Sequence, residues 1–126
     1  MNLEEIKLWH DALLDGTHVQ GRANLEDEFG RECCLGVYMN LCGIEKELTE
    51  GAYTFASKTR SFITAEAKMK LGYGKYDEIS FKIPLHLRGK ADGCTVATPI
   101  SLNDVFLFSF SEIAECIKFT FPEAFE

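Results

Sequence analysis

The feature that most constrains this chain is an apolar run over residues 32–42 that contains two adjacent cysteines, Cys33 and Cys34. About three helical turns of apolar residues, stopped by Gly43, predict a short helix. Gly36 inside the run costs roughly 1 kcal/mol relative to alanine, which indicates that another backbone segment packs closely there. We therefore expect a central cysteine-containing helix that packs against residues 102–117.

A helix is also predicted at the N-terminal end of the chain, over residues 2–15. Asn2 can cap it, and Glu5 stands at the third helical position of a capping box. The apolar residues recur at helical spacing through Trp9, and Gly16 ends the pattern.

A third helix is predicted at the C-terminal end. Ser109 is followed three residues later by Glu112, which matches a capping box. The apolar positions that follow, such as Phe110 and Ile113, form one face of a helix that Pro122 stops.

The middle of the chain carries weaker signals. Residues 17–31 predict a loop with a short hairpin around 27–30, and residues 44–60 support no assignment. The remaining predictions are a helix over 65–71 capped by Thr64, a strand over 77–83 and a strand over 94–98. Together these elements predict a compact α+β fold for residues 1–126, a single domain with three main helices and a small antiparallel sheet.

Charge is distributed unevenly along the chain. The formal net charge is −7, but residues 58–90 carry eight basic and three acidic side chains, a local charge of +5. The acidic total argues against non-specific binding of nucleic acids. The basic middle is suited to holding a small anion.

The cysteine count and the lack of a signal-peptide pattern predict a cytoplasmic protein. The five cysteines are an odd number without a regular disulfide framework, which is typical of a reducing compartment. No run approaches about 18 apolar residues, so no membrane contact is expected. The acidic start of the chain does not resemble a signal peptide.

Three groups of residues, taken in order, resemble a family of small proteins encoded by bacteriophages and prophages. The first group is Trp9 with residues 12–13, 16 and 20–21. The second is the Cys-Cys-Leu-Gly-Val segment 33–37 with Cys42. The third is the Leu-Asn-Asp segment 102–104 with residues 109–114 and Ile117. The resemblance implies a phage origin and action in the cytoplasm of the host cell. Phage proteins of this size often modulate host functions, and some counter antiviral defences, which is an argument by analogy.

Two interpretations of the adjacent cysteines are open. A thiol at a helix N-terminus has a lowered pKa and can serve as a nucleophile. His86 is then the candidate base, Asn103 or Asp104 the orienting group, and Gln20 the oxyanion donor. The favoured interpretation is that Cys33 and Cys34 pack in the core, because cysteine is among the most buried residue types.

A ligand site is predicted from two other groups of residues. Tyr73, Lys75 and Tyr76 combine aromatic rings, a cation and neighbouring glycines inside the basic segment, a pattern that can stack a base and hold a phosphate. The polar residues Gln20 and Arg22 face this segment in our expectation. The alternative to a ligand site is that residues 71–76 have a purely structural role, as a helix C-cap followed by a turn.

Asn103 and Asp104 complete the predicted ligand site. As an alternative they close a turn by bonding to backbone groups, as such residues commonly do at corners. The histidines and cysteines lack metal-ligand spacing, so neither a metal nor a cofactor is predicted.

Six phenylalanines lie between residues 106 and 125, and they are either an extension of the core or a surface for self-association. We expect a homodimer through this segment.

The leading functional hypothesis is a phage-encoded binding protein that acts without catalysis on a host protein or a nucleotide-derived signal. The alternatives are a cysteine hydrolase or transferase and an acidic mimic of nucleic acid.

Overall fold

Three of the four α-helices begin at a residue whose side chain caps the helix, and α2 begins after Cys33 without such a cap. In the computed structural model, which describes residues 1–126, the helices are α1 (Leu3–Leu14), α2 (Cys34–Leu41), α3 (Ala65–Lys70) and α4 (Phe110–Thr120). The Asn2 side chain accepts a hydrogen bond from the Glu5 N–H, and Ser109 and Glu112 form a reciprocal capping box. Such caps satisfy amide groups that would otherwise have no partner at a helix start.

Four short strands form two separate antiparallel pairs, of which the second corresponds to the strands predicted over 77–83 and 94–98. Strands β1 (Lys46–Thr49) and β2 (Ala52–Phe55) make a hairpin, and β3 (Phe81–Lys82) pairs with β4 (Val96–Ala97). The predicted α+β class is confirmed.

The hairpin of β1 and β2 occupies the part of the chain for which the sequence supported no assignment. Its two-residue turn consists of Glu50 and Gly51, both left-handed, with φ of 47° and 88°. This conformation fits the twist of a hairpin, and Asn-Gly is its usual sequence. Because a glutamate stands in the first turn position, the sequence did not indicate a hairpin.

The predicted strand over 77–83 is reduced to two paired residues. The Asp77 carboxylate accepts a hydrogen bond from the Gly74 N–H at 2.7 Å, which closes a turn at the start of the segment. Ile79, Phe81 and Ile83 are nevertheless all buried, so the alternation of the sequence reports burial accurately.

Irregular turns complete the chain. Two 3₁₀ helices cover Leu85–Ala91 and Pro122–Phe125, and a π-helical turn covers Ser101–Val105. The π-helical turn precedes Leu107, whose φ of 56° is unusual for a leucine. None of the helices has the length and apolar character needed to cross a lipid bilayer.

The core is centred on Trp9 of α1, which is completely buried. Its ring lies 5.4 Å from that of Tyr38 and 5.5 Å from that of Phe81, and its indole N–H donates to the Cys34 carbonyl oxygen at 2.9 Å. One side chain thus connects α1, α2 and β3.

Gly36 allows the backbone of residue 25 to approach α2. A Cβ atom at position 36 would lie 1.8 Å from the Leu25 carbonyl oxygen and would overlap it. Only glycine, which has no Cβ atom, fits at this position. The expectation of close backbone packing at Gly36 is confirmed.

Candidate functional site

A groove opens on the surface beside the first turn of α2. Its volume is about 380 Å³, and four segments of the chain line it. We call it the α2 groove. Its lining residues are Leu35, Phe62, Ile63, Lys68, Glu78, Ile79, Thr98, Pro99 and Ile100.

Apolar side chains make the floor of the groove, and a buried thiol fixes one of its walls. Leu35 and Ile79 are buried, so their side chains form a rigid surface. The Cys34 thiol donates a hydrogen bond to the Pro99 carbonyl oxygen at 3.6 Å. This bond holds the wall of residues 98–100 against α2.

The rim of the groove carries an aromatic ring and two opposite charges. Phe62 is 66% exposed, although its backbone is fixed by a hydrogen bond to Thr59. Lys68 lies on α3, and its ammonium group donates to the Lys75 carbonyl oxygen at 3.3 Å. Glu78 is exposed on the rim as well. This combination can hold a planar ring and an anionic group together.

The side chains of Gln20, which is half-buried, and Asn103, which is completely buried, form an amide pair at the start of α2. The Gln20 amide N–H donates to Asn103 Oδ1 at 2.9 Å and to the Phe108 carbonyl oxygen at 2.8 Å, and Gln20 Oε1 accepts from the Phe110 N–H. Asn103 Oδ1 also accepts from the Cys34 N–H at 3.3 Å. These bonds fasten the loop at residue 20 to both α2 and α4.

Asp104, which is half-buried, continues this amide pair. Its Oδ1 atom accepts hydrogen bonds from Asn103 Nδ2 at 2.8 Å and from the Ala23 N–H at 3.1 Å. Ala23 has a left-handed backbone, with φ of 70°, which the hydrogen bond from its N–H to Asp104 helps to maintain. Arg22 next to it is exposed and donates to the Gly21 carbonyl oxygen.

The structure thus brings Gln20, Asn103 and Asp104 together, as the ligand-site hypothesis requires, but turns their polar atoms towards the protein's own backbone. Asn103 is completely buried, and its amide N–H groups also bind the Gly21 carbonyl oxygen. The geometry matches the alternative interpretation of Asn103 and Asp104 as a corner that bonds to backbone groups.

The two adjacent cysteines are buried, and their thiols are protonated at neutral pH. Burial raises the pKa of the Cys33 thiol to about 11 and that of the Cys34 thiol well above its usual range. The lowered pKa expected at a helix N-terminus is therefore wrong here, because loss of solvation outweighs the helix dipole.

His86 does not approach either thiol. Its imidazole lies on the surface with the side chain 63% exposed, and Nε2 is 2.9 Å from a carboxylate oxygen of Glu115 on α4. The catalytic triad that the hypothesis requires is therefore not assembled from the cysteine, histidine and asparagine. Asn103 instead accepts a hydrogen bond from the backbone N–H of Cys34.

Tyr73, Lys75 and Tyr76 lie beside the N-terminus of α1, next to the groove but outside its lining. The preceding Leu71 carbonyl oxygen accepts a hydrogen bond from the Asn2 N–H at 2.9 Å. Tyr73 is half-buried against the core, whereas Tyr76 is 90% exposed and stacks with the Lys75 ammonium group. Lys75 is connected to the groove through its bond to Lys68.

Four of the six C-terminal phenylalanines pack in or against the core: Phe106, Phe108, Phe110 and Phe121. Phe125 packs edge-on against the ring of His10. Phe119 is the only one of the six that is exposed, with 48% of its surface accessible to solvent. The cluster is therefore mainly an extension of the core, and the homodimer remains a prediction.

Sequence reasoning missed most of the groove, including Phe62, Lys68 and Glu78. The only functional signal at these three residues was the positive charge of the segment, because none of the three belongs to a recognisable motif. Nowhere do three histidine, cysteine or acidic side chains converge as ligands for a metal ion.

Comparison with known protein families shows which domain family the chain belongs to. A family model described as "Domain of unknown function (DUF8296)" matches residues 1–121, and the chain therefore belongs to this family. No curated protein and no solved structure matches it.

Proposed function

We propose that this member of the family is a phage-encoded binding protein that holds a nucleotide-like ligand in the α2 groove. By withdrawing such a ligand from solution, the protein interferes with a host process that depends on it. The phage origin and the action in the host cytoplasm rest on the resemblance of residues 33–37 and 102–104 to phage proteins.

The observation that carries the proposal is the composition of the groove. An apolar floor with a few converging polar groups is the usual form of a small-molecule site. Phe62 presents a ring on which a base can stack, and Lys68 supplies a cation for a phosphate. The Glu78 carboxylate can accept a hydrogen bond from an amino group of the base.

The size of the groove sets the size of the ligand. Small-molecule sites measure about 300–1,000 Å³. At about 380 Å³ the α2 groove lies near the lower limit, which suits one nucleotide unit.

The two other functional hypotheses receive less support. The buried, protonated thiols of Cys33 and Cys34 weigh against nucleophilic catalysis. Several acidic side chains are paired with lysines, such as Glu26 with Lys46 and Glu112 with Lys90, which weighs against a uniformly acidic mimic of nucleic acid.

Calorimetric titration with AMP, GMP, CMP and UMP tests the proposal, with adenosine and inorganic phosphate as partial ligands. We expect at least one nucleotide to bind more tightly than either partial ligand. Phe62→Ala should weaken that binding about tenfold or more, because it removes the stacking surface. Lys68→Gln should weaken binding of the nucleotide but not of its nucleoside.

Matched controls are Phe29→Ala and Lys82→Gln, which replace an exposed phenylalanine and an exposed lysine outside the groove. Both should bind like the unmodified protein. Absence of binding for all four nucleotides, or equal binding by Phe62→Ala, would contradict the proposal.

A further inference from the structure

The β1–β2 hairpin has one paired edge and one open edge. On the β2 side, the Tyr53 N–H donates to the Glu26 carbonyl oxygen at 2.9 Å and the Phe55 N–H donates to the Thr59 carbonyl oxygen at 2.7 Å. These bonds leave β1 as the free strand of the hairpin.

The register shows which backbone groups of β1 point outwards. Lys46 is opposite Phe55, and Leu48 is opposite Tyr53. Because Phe55 and Tyr53 direct their N–H groups away from β1, their partners direct theirs away from β2. The N–H and C=O groups of Lys46 and Leu48 accordingly have no hydrogen-bond partner within the chain.

Acidic side chains surround this edge. Glu45, Glu47 and Glu50 are all exposed. The nearby Lys46 does not neutralise them, because its ammonium group lies 2.6 Å from Glu26 and over the Tyr53 ring. At the turn, Arg60 Nη2 donates to the Glu50 carbonyl oxygen at 3.1 Å, so the electronegative part of the unpaired edge is the stretch that carries Glu45 and Glu47.

A shallow hollow of about 460 Å³ lies on the solvent face of the hairpin next to the edge. Its lining is polar and consists of Glu45, Lys46, Glu47, Thr54 and Ser57, with the Lys46 ammonium group bound to Glu26. A basic side chain that enters it meets two carboxylates and two hydroxyl groups.

We propose that β1 binds an extended basic segment of a partner protein, which adds to the hairpin as a third strand. Backbone bonds to Lys46 and Leu48 provide the pairing, and alternate basic residues of the partner face Glu45 and Glu47. This is the usual mode of strand addition, in which main-chain bonds give affinity and side-chain contacts give specificity.

The charges favour a different protein over a second copy of this chain. Pairing of two β1 edges would bring Glu45 and Glu47 of one copy close to the same residues of the other. Like charges across a strand pair destabilise it, and each copy carries a net charge of −7. An oppositely charged segment has no such repulsion.

Fluorescence anisotropy with a labelled hexapeptide of alternating arginine and valine tests this proposal on the intact chain. We expect saturable binding that weakens as salt is added. The same peptide with N-methyl groups on alternate residues should bind at least about fivefold more weakly, because it lacks the donors that face β1. A peptide with glutamate in place of arginine should not bind.

Two variants locate the binding on the protein. Leu48→Pro removes an outward N–H without removing a bond between β1 and β2, and should weaken binding about fivefold. Leu48→Ala keeps that N–H and should bind within about twofold of the unmodified protein. Circular dichroism checks that both variants are folded.

Equal binding of the N-methylated peptide, equal binding by the Glu45→Lys, Glu47→Lys double variant, or no saturable binding would overturn the proposal. Concentration-dependent dimerisation that Leu48→Pro abolishes would also overturn it, in favour of self-pairing. The groove residues are not involved, so these results are independent of nucleotide binding.

Discussion

Asn103 shows how a single buried amide joins segments that lie far apart in the sequence. Its Oδ1 atom accepts from Gln20 and from the Cys34 N–H, while its N–H groups bind Gly21 and Asp104. A buried polar group stabilises a fold only when its bonds are satisfied, and here every one of them is internal. Asn103 therefore positions the start of α2 and, with it, Leu35 of the groove.

Replacement of Asn103 by alanine should lower the free energy of unfolding by about 3 kcal/mol, because the buried Cys34 N–H and Gly21 carbonyl lose their partner. Urea denaturation measures the change. Asn24→Ala is the control, since the hydrogen bond that Asn24 makes is from its backbone N–H to the Arg22 carbonyl oxygen and survives the substitution. Equal stabilities of the two variants would contradict the assigned role.

Burial of the Cys33 thiol predicts a pH dependence of stability. In the unfolded chain the thiol loses its proton near its ordinary pKa of 9.0, whereas in the folded protein burial raises the pKa to about 11. Between these values the folded state binds more protons than the unfolded state. The free energy of unfolding therefore falls as pH rises through this window, by up to about 1.4 kcal/mol per pH unit for one thiol.

Denaturation at a series of pH values from 8 to 11 measures this effect. The fall should be shallower for Cys33→Ala than for the unmodified protein. Cys94→Ala replaces an exposed cysteine and should leave the slope unchanged. A Cys33→Ala slope equal to that of the Cys94→Ala control would disprove the assignment.

At the scale of elements, capping residues and hydrophobic spacing predicted α1, α2, α3 and α4 because these signals are local. The strands were harder to predict, for a different reason in each pair. β3 is held by only two residues of β4, and the β1–β2 turn uses a left-handed glutamate that sequence rules disfavour.

The contact of α2 with the backbone of residue 25 predicts the effect of Gly36→Ala. The added methyl group would meet the Leu25 carbonyl oxygen at 1.8 Å, and neither backbone can move without repacking the core. We expect a loss of about 3 kcal/mol or more in the free energy of unfolding.

Gly89→Ala is the matched control, because no atom lies within 4 Å of the corresponding Cβ position. It should be neutral or slightly stabilising. If both alanine variants unfolded at the same denaturant concentration, the packing explanation for Gly36 would fail.

At the scale of the whole molecule, the α2 groove could not be predicted because its lining comes from four separate segments. The sequence indicated a basic middle, which contains Lys68, and a pair of tyrosines that the structure places just outside the groove. The structure brings Gln20, Asn103 and Asp104 of the predicted ligand site together, but their polar atoms bond within the protein. Local patterns identify helices and conspicuous residues, whereas a groove depends on how distant segments pack.

The most direct test of the nucleotide site is a methyl NMR titration of the isotopically labelled protein with the same four mononucleotides. The α2 groove predicts that the methyl signals of Ile63, Ile79 and Ile100, which line three different walls, shift together with one binding curve. The signals of the fully buried Ile6 and Ile113 should remain in place. Shifts confined to residues outside the groove, or no shift with any nucleotide, would contradict the account.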